Sequence, residues 1–158
     1  MYSVYNQFNQ GYDMQTIDRV QIKNRLEERK EQIEKLFNHI ENWISGESEF
    51  RFKRSKPVTL KEEETGNQES EQIQLPTANV FRNITLVASL KPKGLWVIGA
   101  NGRVDLLNKY ESIILFDLSK NEEDFNWEIS YSKKGQKRLP LNKSNLIWIL
   151  NTLKDEHH

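Results

Sequence analysis

The apolar pattern of this sequence predicts an α+β fold: a long N-terminal helix, an antiparallel β-meander of about five to seven strands, and a C-terminal helix packed on the sheet. Three observations carry that expectation. Thr16 to Ser45 contains neither Gly nor Pro, and its apolar residues recur at helical spacings. Phe50 to Tyr131 changes to alternation broken by turn residues, and Leu146 to Leu153 returns to a helical period. Strands in succession between two helices indicate α+β rather than alternating βαβ units.

Taken in order, residues 1–15 are rich in Asn, Gln, Tyr and Gly without a period, which predicts a flexible arm ahead of a domain spanning 16–158. In the helix predicted for 16–45, Ile22, Leu26, Ile33, Leu36, Ile40 and Trp43 form the stripe, widened near its end by Phe37 and Ile44. Lys23 to Gln32 is nearly all polar, so the front half is expected to project, coiled-coil-like, towards a partner. Gly46 offers a left-handed stop. Phe50 and Phe52 alternate with Arg51 and Lys53, and Val58 and Leu60 continue the pattern past Pro57, a first pair of strands. The acidic, polar run from Glu62 to Ser70 reads as an exposed connection.

Ile84, Leu86, Ala88 and Leu90 alternate before Pro92-Lys93-Gly94, and two apolar runs, Leu95 to Ala100 and Arg103 to Leu107, flank Asn101-Gly102. That dipeptide predicts a type I′ hairpin, which needs positive φ at both central residues. Ile113 to Phe116 and Phe125 to Tyr131 add strands, with a turn near Lys109 to Glu111. Asn142 or Ser144 can cap the closing helix, whose apolar face is Leu146, Ile149, Leu150 and Leu153.

Composition limits the functions open to such a chain. Only 36% of the 158 residues are hydrophobic and mean hydropathy is −0.78, so the core must be modest. The 23 basic and 23 acidic residues cancel, so the molecule as a whole has no field that would gather phosphates, and nucleic-acid binding would need a local patch. The absence of cysteine excludes disulfides, thiolate zinc sites and cysteine nucleophiles. The first residues lack the basic and apolar regions of a secretory signal, and no run approaches a membrane span, so the expected location is cytoplasmic with no membrane partner.

The run Leu90 to Leu106, which includes Gly99-Ala100-Asn101-Gly102-Arg103-Val104-Asp105-Leu106, resembles a group of uncharacterised small bacterial proteins. The resemblance extends to a charged first helix and a closing helix preceded by a run such as Leu139-Pro140-Leu141. It implies the same element order and carries no activity with it. Gly102 to Leu106 followed by Ile114 to Lys120 is similar to the core of PD-(D/E)XK nucleases. In that family carboxylates on neighbouring strands bind Mg²⁺ and a nearby lysine assists the attacking water. Asp105 and Asp117 would be the two ligands, although Ser119 fills the lysine position and Lys120 comes one residue late. A one-residue slip turns a strand side chain to the opposite face.

Arg51, Lys53, Arg54 and Lys56 interleave with Phe50 and Phe52, a composition suited to single-stranded nucleic acid; Lys133, Lys134 and Arg138 form a second basic cluster. The plain reading is core-facing Phe with solvated charges. The two clusters would support binding only if they share a face. Three histidines, His39, His157 and His158, give no metal-ligand spacing within the domain, and no cofactor or metal is expected.

The reading that follows is a non-enzymatic protein-interaction module, an accessory or regulatory subunit of a bacterial system. Its expected contact residues are Ile22, Leu26 and Ile33 of helix 16–45, meeting another protein or a second copy. Nucleic acid is not expected as a partner. The alternatives are a degenerate metal-dependent nuclease using Asp105 and Asp117, and a small nucleic-acid-binding protein.

Overall fold

The structure is a computed structural model that describes residues 11–46, 49–62, 71–93, 100–131 and 137–155. The first ten residues of the expected arm, most of the predicted loop 62–70, the predicted strand over 95–99, and Lys133, Lys134, His157 and His158 lie outside the described residues. So does the side chain of Ile22.

Helix α1, Gly11–Ser45, starts inside the expected arm and runs about 52 Å at the standard rise. Leu26, Ile33, Leu36, Phe37, Ile40 and Ile44 fall on one side of it, and all six are buried. Seven strands follow: β1 Phe50–Glu62, β2 Glu71–Arg82, β3 Thr85–Lys93, β4 Gly102–Leu107, β5 Ser112–Asp117, β6 Trp127–Tyr131 and β7 Lys137–Pro140. They form one antiparallel sheet in chain order, a simple meander. Helix α2, Lys143–Lys154, closes the described chain. Its N-cap is Asn142, whose Oδ1 accepts from the Asn145 N–H at 2.9 Å.

Local chemistry explains the departures from regularity. The β1–β2 register passes from Ser55↔Thr77 to Val58↔Leu75, so Lys56 and Pro57 share the place opposite Pro76. Neither proline has an N–H for the ladder, and a bulge at that point avoids the missing bonds. Phe50 to Leu60 is therefore one bulged strand, and its partner β2 is an element that the alternation did not reveal. The β2–β3 loop is two residues, Asn83 and Ile84, with Asn83 at φ 57°. Asn is among the few residues that enter this region readily. Ile84, expected inside a strand, is 94% exposed at the tip. A second bulge between Val80 and Phe81 buries Val87 beside Ala88 and leaves Leu86 exposed.

The expected Asn101-Gly102 turn is corrected. Gly102 begins β4 opposite Asp117, and neither it nor Asn101 has positive φ. The strand before β4 in the sheet is β3, with Lys93 opposite Arg103. Gly102 is small for a different reason: a Cβ there would meet Cδ and Nη1 of Arg29 at 3.1 Å. Gly46 follows the helix as expected but without the left-handed conformation. The β4–β5 turn falls where expected, with Asn108 Oδ1 accepting from the Tyr110 and Glu111 N–H groups at 2.8 Å.

Both helices lie on one face of the sheet. A single core joins Leu36, Phe37 and Ile40 of α1 and Leu146, Ile149 and Leu150 of α2 to Val80, Leu90, Val104, Leu115 and Ile129. No helix among the described residues is long and apolar enough to cross a membrane.

Candidate functional site

Residues opposite one another across a ladder share a face, so the registers sort each strand residue into helix side or free side. Arg54, Ala78, Leu90, Leu106 and Ile113 form one row on the helix side, and Pro92, Val104, Leu115, Ile129 and Leu139 form the next. Arg54 is drawn into the fold there: its guanidinium reaches Glu34 at 2.8 Å and Asn38 at 3.0 Å on α1.

The other face carries no helix among the described residues. Its rows are Lys53, Asn79, Ser89, Leu107; then Lys91, Asp105, Ile114, Ser130, Arg138; then Lys93, Arg103, Phe116, Glu128, Pro140. Arg51, Phe81 and Leu86 lie beside them near the β2–β3 tip. Six basic residues, Arg51, Lys53, Lys91, Lys93, Arg103 and Arg138, thus face the same way against two acidic ones, Asp105 and Glu128. A molecule of zero net charge therefore has a strongly positive sheet face.

Both carboxylates on this face are bound in place. Arg103 holds Asp105 through two bonds, Nε to Oδ1 at 2.7 Å and Nη2 to Oδ2 at 3.1 Å. The Asp105 side chain is only 5% exposed, and its hydrogen bond pushes the Arg103 guanidinium above its ordinary pKa, so that charge persists at any working pH. Arg138 bonds Glu128 at 2.8 Å and its guanidinium lies 5.4 Å from the Phe116 ring centre. Arg51 stands 5.1 Å over Phe81 in the same way. Lys53, Lys91 and Lys93 are exposed.

The predicted nuclease pair separates. Asp105 lies opposite Ile114, whereas Asp117 lies opposite Gly102, three residues along β4, so the two carboxylates point to opposite faces of the sheet. One metal ion cannot be shared between them. Asp117 is completely buried on the helix side, where Oδ2 accepts from Arg29 Nη1 at 2.5 Å and Oδ1 from the Ser119 N–H at 2.9 Å. Among the described residues no group of three or more His, Asp or Glu could hold a metal.

The predicted partner stripe is also reassigned. Leu26 and Ile33 are 2% and 4% exposed, and both are buried by this chain's own fold. A stripe that looked too sparse for a core helix is sufficient because α1 crosses a broad sheet and meets it over its last twenty or so residues. Ahead of Leu26 the helix surface is open, and Val20 is 55% exposed.

Of the nucleic-acid candidates, Arg51, Lys53 and Arg138 do share a face, on opposite edges of the sheet. Lys91, Lys93 and Arg103 fill the space between and were not singled out from the sequence. The signal was present in the alternation of Lys91 and Lys93 with Leu90 and Pro92. What was missing was the register that puts them in phase with Arg103. Compared with protein-family models, curated proteins and solved structures, the chain matches none.

Proposed function

We propose that this protein is a non-enzymatic binding module whose working surface is the helix-free face of the sheet, and that its occupant is single-stranded nucleic acid. The observation that carries the reading is the same-face placement of six basic residues around Phe116 and Phe81. Such a surface combines phosphate contacts with planar groups, here rings and the guanidinium planes stacked on them, against which bases can lie. Seven strands at about 4.8 Å spacing give a width near 29 Å, enough for several nucleotides. Arg103 and Arg138 are already paired, so Arg51, Lys53, Lys91 and Lys93 would supply most of the phosphate contacts.

Four such contacts predict a log-log salt slope of about −3, and hence roughly 50-fold weaker binding at 200 mM than at 50 mM salt. Fluorescence anisotropy with a labelled 20-nucleotide single strand tests this. Lys91→Ala with Lys93→Ala should reduce the slope by about 1.4 and weaken binding on all sequences alike. Absence of binding at 50 mM salt, or binding indifferent to the double substitution, would refute the reading. Equal affinity for polyglutamate would assign the face to an acidic protein instead.

A second reading keeps α1 as a contact for another copy of the chain, supported by the exposed helix surface ahead of Leu26 with Val20 upon it. Truncation of residues 1–19 spares Leu26 and Arg29. Under this reading light scattering finds an oligomer in the full chain and a monomer in the truncated one.

A further inference from the structure

On the helix side, between α1 and the loop joining β5 to β6, lies a cavity of about 200 Å³. The loop is braced by its own bonds. Asn121 Oδ1 accepts from the Glu123 and Asp124 N–H groups, Asp124 Oδ2 accepts from the Lys120 N–H, and Ser119 Oγ accepts from the Asn126 N–H. It is pinned to α1 by Lys35, whose ammonium donates to the Glu122 carbonyl, and by Phe125, whose ring lies 4.1 Å from that of His39. The cavity wall is therefore held on both sides.

From α1 the wall receives Arg25, Glu28, Arg29 and Gln32, at helical spacings that put them on one face. The loop adds Lys120 and Glu122. Each side thus offers a cation and an anion. Every lining residue is polar or charged, so a hydrophobic ligand or a base has no surface to rest on. Gln32 is 5% exposed, and its Oε1 has no hydrogen-bond donor. A buried acceptor left unmatched in a native fold calls for a donor that arrives from outside the chain.

We propose that this cavity binds a small zwitterion of the α-amino acid class. The ligand ammonium supplies the donor for Gln32 Oε1 and is attracted by Glu28 and Glu122, while the carboxylate meets the cationic groups of Arg25, Arg29 and Lys120. A simple anion would satisfy the cations but leave Gln32 unmatched. An amine alone would leave the cations facing one another. The site is on the opposite side of the sheet from the basic face and stands independently of the nucleic-acid reading.

The test is thermal unfolding of the full chain with each of the free amino acids, and with orthophosphate and glycerol as comparators. At a hundredfold excess over Kd, a fitting amino acid should raise Tm by about 5–10 °C. Gln32→Leu removes the unmatched acceptor and should leave the unliganded Tm level or higher while weakening the ligand at least tenfold. Lys120→Met, on an exposed position, should weaken it similarly without changing the unliganded Tm. The proposal is overturned if no amino acid raises Tm, if the rise survives in both variants, or if orthophosphate alone reproduces it.

Discussion

Replacing Arg29 by Met isolates the contact that joins α1 to the far half of the sheet. The Asp117 side chain is 0% exposed, Arg29 is 14% exposed, and their bond is 2.5 Å long. Met keeps most of the aliphatic stem and removes the charge. Asp117 then retains the Ser119 N–H on Oδ1, while Oδ2 loses its cation within a water-poor site. Leaving a buried carboxylate without its counter-ion costs about 3–5 kcal/mol, far above the 1 kcal/mol ceiling of an exposed pair. For a chain of this length that is a fall in Tm of about 6–20 °C. Asp117→Asn combined with Arg29→Met removes both charges and should recover at least about 2 kcal/mol, since the penalty lies in the orphaned ion and not in the loss of the pair. Urea unfolding followed by tryptophan fluorescence measures all four proteins, with equal m-values as the check that the unfolded states match. A loss below 1 kcal/mol in Arg29→Met, or a double variant whose loss equals the sum of the single ones, would refute the argument.

Other expectations follow from local geometry. Asn83→Val should cost about 1–3 kcal/mol, because a β-branched residue is strained at φ 57°, whereas Asn83→Gly should fall within about 0.5 kcal/mol of the parent in the same assay. Asn142→Ala removes the α2 cap and should cost about 1 kcal/mol, with Asn142→Ser close to neutral. Glu49 is held below its usual pKa of 4.5, first by the Lys154 hydrogen bond and further by the charges of Lys154 and Arg82. A depressed carboxyl stabilises the fold above its unfolded pKa and loses that contribution as pH falls through the lower, folded value. The Tm difference between the parent and Glu49→Gln should therefore be constant above about pH 5 and close as the solution is acidified below 4.5. A difference that grows on acidification would reverse the assigned sign.

Element type was legible in the sequence wherever side-chain period alone decides it. The 3.6-residue recurrence from Leu26 to Ile44 and from Leu146 to Leu153 marked both helices, and the alternation of Val104 with Leu106 and of Ile113 with Leu115 marked β4 and β5. Asn142 identified its own helix start because capping is a bond between residues three apart. Strand β2 was not legible, since Leu75, Pro76, Thr77 and Ala78 are buried in succession and show no alternation beside the bulge. Strand β7 was hidden in four residues of mixed character.

Tertiary structure alone decided what each apolar or charged residue meets. Period shows that Leu26 and Ile33 have a buried face but not that the sheet of the same chain buries it. It likewise shows that Asp105 and Asp117 lie on strands, but facing depends on register, and register depends on the length of turns and on bulges. Gly102 looked like half of a tight turn because its freedom in φ is a local property. Its actual role is to admit the Arg29 side chain, 73 residues earlier in the chain, and no local property encodes that approach. Composition determined that the whole chain is neutral; the pairing of β1, β3, β4 and β7 in phase decided that one face of it is positive. Charge is summed along the sequence, whereas the potential that a ligand feels is summed over a surface, and only the fold determines which residues share one.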